Sequence, residues 1–155
     1  MKPLRILQLA VLVLVVFVGF SDNSSAETVA YWQFDEGEGN TTTDSSENDN
    51  TGTLLYDTKW VSGTNGNALE FDGVDDYVEI ADSDSLDLGS KLTFSAWINL
   101  DSFPANNGAS IILSKGDTLD HQRSYMFYIR NTNNQISLRA MVSDGTDNDG
   151  GKCYY

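Results

Sequence analysis

Between Lys91 and Leu100 the chain reads Lys-Leu-Thr-Phe-Ser-Ala-Trp-Ile-Asn-Leu, and apolar and polar residues alternate throughout. Leu92, Phe94, Ala96, Ile98 and Leu100 fall on one face, and Thr93, Ser95, Trp97 and Asn99 on the other. Successive side chains of a strand point to opposite faces, so this period of two predicts a half-buried β-strand.

The same reading extends along the chain. Val29 to Phe34 predicts a strand with Ala30, Trp32 and Phe34 on one face. Ala68 to Phe71 and Tyr77 to Ile80 flank the turn Asp72-Gly73-Val74-Asp75. Ser110 to Ser114, Tyr125 to Arg130 and Gln135 to Val142 follow, the last two forming a hairpin across a turn at Asn131 to Asn134. Lys152 to Tyr155 begins another strand. Asn40 to Thr53 and Asp144 to Gly151 read as polar loops, and no helix-period stretch appears after the first 26 residues. Strands spaced by roughly ten residues without helices predict an antiparallel sandwich or barrel.

The first 26 residues read as a secretory signal peptide. Lys2 and Arg5 precede an apolar run, Leu9 to Phe20, and Ser24-Ser25-Ala26 supplies small residues for cleavage after Ala26. As a helix this run reaches about 18 Å, short of the ~30 Å hydrocarbon core. The mature domain, residues 27–155, is therefore expected to be secreted or at the cell surface, with no membrane insertion once the signal is removed. Lys2, Arg5 and Asp22 leave with the leader, so the formal charge changes from −14 to −15. That excess disfavours phosphate backbones, so no nucleic acid is expected as a partner, and it favours cations and neutral ligands. Cys153 is the single cysteine, which precludes an internal disulfide.

Several residue groups bear chemistry. Asp35, Glu36 and Glu38 lie beside glycines, followed by Asp44, Glu47 and Asp49. Loops that mix carboxylates, amides and free carbonyls supply the six to eight oxygens that calcium takes. Asp144 to Gly150 resembles a calcium loop but misses the register by one residue, and Asp82 to Asp87 has leucine where an oxygen ligand should sit and lacks the glycine, so both read as turns. Glu70, Asp72 and Asp75 approach a paired-carboxylate pattern, yet Gly73 breaks the strand and places Asp75 in a turn. His121 has no Ser-His-Asp or zinc spacing around it. Sugars stack apolar faces on aromatic rings, and Trp97, opposite the aliphatic face of its strand, and Tyr125 are the candidate ligand-binding residues. Trp32 shares a face with Phe34 and reads as core.

The motifs Tyr31-Trp-Gln-Phe-Asp-Glu-Gly-Glu-Gly39, Asp44-Ser-Ser46, Ala68-Leu-Glu-Phe-Asp-Gly73 with Asp76-Tyr-Val78, and Leu92-Thr-Phe-Ser-Ala-Trp-Ile98 occur in an order and spacing that resemble a laminin-G-like domain of the concanavalin A-like lectin/glucanase superfamily. The resemblance covers nearly all of residues 27–155. It implies an all-β, concanavalin A-like jelly-roll sandwich of two antiparallel sheets. It also implies an incomplete domain, because the family's later strands are absent before Tyr155. By resemblance, Asp35, Asp44 and Asp72, or the Gly73 carbonyl, are the expected ligands of a structural calcium. The implied function is a non-catalytic binding module for polysaccharide, glycoprotein glycan or extracellular protein. The alternative is part of a glycoside hydrolase or lyase of the same fold, or an accessory module of a larger carbohydrate-active enzyme.

Overall fold

A computed structural model of the chain describes residues 12–16, 27–88, 92–115, 125–142 and 152–154. Among these the fold is all-β, with strands β1 (Leu12–Val16), β2 (Glu27–Trp32), β3 (Thr41–Thr42), β4 (Gly52–Leu55), β5 (Lys59–Ser62), β6 (Asn67–Glu70), β7 (Tyr77–Ile80), β8 (Thr93–Ser95), β9 (Ala109–Lys115), β10 (Tyr125–Thr132), β11 (Gln135–Val142) and β12 (Lys152–Tyr154). One 3₁₀ turn, Asp84–Leu86, is capped by Ser83. Every pairing is antiparallel. Among the described residues the strands form four antiparallel sheets, β2-β1-β8, β3-β4-β7, β5-β6 and β12-β11-β10-β9, consistent with the expected concanavalin A-like sandwich.

The chain forms two compact units. The first, residues 1–87 and 91–102, holds the three smaller sheets. Its core includes Val29, Ala30, Trp32, Phe34, Leu54, Ala68 and Leu69. Ala30, Trp32 and Phe34 are buried together, as their shared face predicts. Val29 is buried as well, because it is the extra residue of a β-bulge: Leu14 pairs with Ala30 and Val15 with Thr28, so Val29 has no opposite number. The alternation at Leu92 to Leu100 also holds. Thr93, Ser95, Trp97 and Asn99 are exposed, and the residues between them are half-buried.

The sequence places Ala68–Phe71 and Tyr77–Ile80 on either side of one turn. They do not pair with each other. β6 pairs with β5 and β7 with β4. Gly73, at φ 74°, turns the chain away between the two strands, a conformation that glycine adopts without a Cβ penalty.

The second unit, residues 88–90 and 103–155, is built on β9 to β12. Its central hairpin turns on two residues, Asn133 and Asn134, at φ 53° and 62°. Two successive positive φ values are those of a type I′ turn, which asparagine tolerates. The strands therefore extend to Thr132 and begin at Gln135, a tighter turn than four residues.

Candidate functional site

Loop 44–50 lies along β2, and Asp44 is its hub. Asp44 is 5% exposed. Its Oδ1 accepts the backbone N–H groups of Tyr31 and Ser46, both at 2.8 Å. Its Oδ2 accepts the Ser46 hydroxyl at 2.8 Å, and the Asn50 backbone N–H and side-chain amide at 3.0 Å each. Burial pushes the carboxyl up, but the N–H groups of Tyr31, Ser46 and Asn50 and the Ser46 hydroxyl outweigh it and hold Asp44 below its ordinary value. The bulge turns the Val29 carbonyl to the same loop, where the side chains of Ser46, Asn48 and Asn50 reach it. A carboxylate offers about four lone-pair sites. Five donors fill those of Asp44, so it does not fit a cation and instead straps the loop to the strand.

Asp35 has a comparable local role. Its Oδ1 accepts the Asn67 N–H at 2.7 Å, and the Asn67 side chain donates to the Asp35 carbonyl at 3.0 Å. This fixes the start of β6. Glu36 accepts the Thr43 N–H at 2.7 Å and the Thr42 hydroxyl at 3.3 Å.

Asp72 is brought together with two residues that the sequence reading did not select as cation ligands, Asp75, considered only as part of a carboxylate pattern, and Asp76. Asp72, Asp75 and Asp76 each place a carboxylate oxygen within 4.8 Å of the others, on the turn after β6. Asp76 holds the turn in shape: Oδ1 accepts the Asp57 N–H and Oδ2 the Asp72 N–H, both at 2.9 Å. Asp72 Oδ1 accepts the Val74 N–H at 2.7 Å. The signal was the carboxylate spacing of Asp72-Gly-Val-Asp75-Asp76, which a left-handed glycine folds into one knot. Three carboxylates with oxygens not all engaged by N–H groups suit a hard cation. Beside them, the Tyr56 and Tyr77 rings lie 5.7 Å apart, tilted by 52°. Tyr56 is 67% exposed.

The aromatic candidates separate. Trp97 is 67% exposed, two residues beyond the end of β8, in the same alternating pattern of exposure as Thr93, Ser95 and Asn99. Tyr125 is 4% exposed, so its ring is interior and offers no open face for stacking. That corrects its reading as a ligand-binding residue: the inward side of β10 carries it, together with the buried Ile129. Trp32 is buried and donates its indole N–H to the Asn50 carbonyl at 2.7 Å. Trp60 donates to the Gly39 carbonyl at 2.8 Å. A shallow hollow on the β10–β11 hairpin is lined by Thr132, Gln135, Ile136, Ser137 and Arg139, with no carboxylate or histidine among them. His121 and the loop Asp144 to Gly150 lie outside the described residues.

A laminin-G-type family model, described as concanavalin A-like lectin/glucanases superfamily, matches residues 72–152. No curated protein and no solved structure matches the chain.

Proposed function

The chain belongs to the concanavalin A-like lectin/glucanase superfamily, and from that premise we propose that it is a secreted, non-catalytic binding module for carbohydrate or extracellular protein. The observation that supports this most is the open face of Trp97. Its indole is 67% exposed, and Ser95 and Asn99, two residues to either side in sequence, are exposed as well, so an apolar sugar face has an open ring to stack on. A non-catalytic role is supported by the carboxylates. Asp72 and Asp75 share a turn on which Asp75 is exposed, whereas a glycosidase acid needs an apolar pocket to stay protonated near neutral pH.

A structural calcium belongs to this proposal, with its place revised to Asp72, Asp75 and Asp76. These residues would hold it, and the ion would neutralise three converging carboxylates and fix the turn. Secretion rests on the leader sequence; among the described residues no helix is long and apolar enough to cross a membrane.

The test is binding of a panel of neutral soluble polysaccharides by calorimetry, with wild type, Trp97→Ala and Trp60→Ala. The expected result is a loss of affinity of about tenfold or more for Trp97→Ala, ~1.4 kcal/mol, since tryptophans dominate the energetics of such surfaces. Unchanged affinity in Trp97→Ala, or hydrolysis of any polysaccharide by the wild type, overturns the reading.

A further inference from the structure

Tyr56 holds a backbone conformation that its side chain does not favour. Six non-glycine residues among the described ones have positive φ: Phe34, Asp49, Tyr56, Asn107, Asn133 and Asn134. The four Asn and Asp residues tolerate the left-handed region, because their short polar side chains hydrogen-bond locally. Phe34 is bulky, but its ring is 7% exposed, and burial in the core offsets the strain. Tyr56, at φ 56°, has neither advantage, for its ring is 67% exposed. Strain that burial does not offset points to a position held for what its side chain does.

The turn that carries Tyr56 joins β4 to β5 and is pinned in place. The Asp57 N–H donates to Asp76 Oδ1 at 2.9 Å, and the Thr58 hydroxyl donates to the Leu55 carbonyl at 2.7 Å. The Tyr56 ring leans on that of Tyr77, with centroids 5.7 Å apart and planes tilted by 52°. Tyr77 is itself 44% exposed and is anchored opposite Leu55 in the β4-β7 ladder. The result is a held aromatic platform at the surface, and a ring already held in place lowers the ordering cost of binding.

The surroundings select the ligand. Every charge on this turn and on the turn it is pinned to is a carboxylate: Asp57, Asp72, Asp75 and Asp76. Ionised carboxylates only accept hydrogen bonds, so they repel anionic groups and suit hydroxyl donors. Protein interfaces are depleted of Asp and Glu at their centres and bury about 800 Å² on each partner, so two rings rimmed by acids do not suit a protein partner. Two rings in contact also leave no space between them to enclose a cation, as an aromatic cage does. A sugar ring meets both demands, with an apolar face for the aromatic ring and hydroxyls for the carboxylates.

We propose that Tyr56, propped by Tyr77, is a stacking site for a neutral sugar unit of a polysaccharide, with the carboxylates of the two turns at its rim. This rests on the reading of the chain as a carbohydrate-binding module, but not on Trp97.

The test is calorimetric titration of the full chain with neutral soluble polysaccharides, in wild type, Tyr56→Asn, Tyr56→Phe, Tyr56→Leu and Trp97→Ala, with the denaturant midpoint of each. Asparagine relieves the left-handed strain and removes the ring. Tyr56→Asn should therefore bind at least about tenfold more weakly and keep a midpoint at or above that of wild type. Phe and Leu both keep the bulk and the strain, and only Phe keeps a flat face, so Tyr56→Phe should retain most of the affinity and Tyr56→Leu should lose it. Loss of affinity in Tyr56→Asn but not in Trp97→Ala upholds this site and removes Trp97 as the stacking residue. Unchanged affinity in Tyr56→Asn, or equal affinity in the Phe and Leu variants, overturns the site, and the module reading then stands if Trp97→Ala loses affinity. A midpoint that falls in Tyr56→Asn while affinity holds shows a ring kept only for packing on Tyr77 and overturns it too. No binding of any polysaccharide by the wild type overturns both readings. Binding of hexalysine instead, weakened in Tyr56→Asn, assigns the ring to a cation and overturns the sugar.

Discussion

Asp44 Oδ2 accepts two hydrogen bonds from Asn50, one from the backbone N–H and one from the side-chain amide, each at 3.0 Å. The same side-chain amide also reaches the Val29 carbonyl at 3.3 Å. One asparagine therefore ties the loop carboxylate to the bulge in β2, and Trp32 closes the arrangement by donating to the Asn50 carbonyl. The strand needs the loop because the bulge leaves Val29 outside the β1 ladder, and a buried carbonyl without a partner is costly.

Asp44→Asn tests this network. The new amide turns an N–H donor toward groups that are themselves donors, and several of the five bonds cannot re-form. Breaking a buried charged network in this way costs about 2–4 kcal/mol. Denaturant unfolding should show that loss, with Glu47→Gln, exposed on the same loop, close to wild type. A change within 0.5 kcal/mol, the ordinary range of about ±0.5 for surface substitutions, would show that the network is not needed.

The same residue sets an acid limit. The folded Asp44 carboxyl lies below its ordinary value of 3.8, because hydrogen bonds to the ionised form outweigh its burial. A depressed folded value gives stability that is full above the unfolded value and lost as pH falls through the folded one. The wild type should therefore lose stability below about pH 4, and Asp44→Asn should show a shallower decline across the same window. Equal slopes in the two proteins, measured by denaturant titration between pH 2.5 and 5, would remove Asp44 as a source of the acid response.

What the sequence showed and hid follows one line. Local patterns were readable: the alternation at Leu92 to Leu100 reappears as alternating exposure, and Trp32 and Phe34 are core as their face implies. Partner choice was not. β6 and β7 are neighbours in sequence yet pair with β5 and β4, since register is decided by long-range packing that a local period does not encode. Short strands inside polar stretches, such as Thr41–Thr42, carry too few residues to show a period. Among the acids, sequence showed which loops hold carboxylates but not which ones backbone N–H groups would consume. Asp44 was consumed by five donors, whereas Asp72 was left with two acidic neighbours.

Gly52→Ala should weaken the β3-β4-β7 sheet. A Cβ at this buried position meets Val78 Cγ1 at 2.6 Å and Thr42 Cγ2 at 2.8 Å, one from each neighbouring strand. Overpacking of this kind typically costs about 1–3 kcal/mol. Val78→Ala in the same chain should recover part of the loss by vacating the nearer contact, and a double-mutant cycle reads the coupling. Simple additivity of the two changes would mean that the glycine is required for another reason.

Calcium should stabilise the turn after β6. Asp72, Asp75 and Asp76 bring three negative charges within 4.8 Å, a repulsion that a bound divalent ion relieves. Extracellular calcium sites have dissociation constants of about 10⁻⁴–10⁻³ M, so 10 mM calcium adds roughly 1.4–2.7 kcal/mol by linkage. For a domain of this size the melting temperature should rise by several degrees. Asp75→Asn is the most informative variant, because Asp75 is exposed and its loss disturbs the turn least, whereas Asp76 holds the N–H groups of Asp57 and Asp72. It should abolish most of the rise and leave the calcium-free melt unchanged or slightly higher. Asp84→Asn, on the exposed 3₁₀ turn, and Asp35→Asn, which removes the Asn67 bond but no cation ligand, should keep the rise intact. If Asp35→Asn removes the calcium effect and Asp75→Asn does not, the ion belongs to the end of β2 and not to the Asp72 turn.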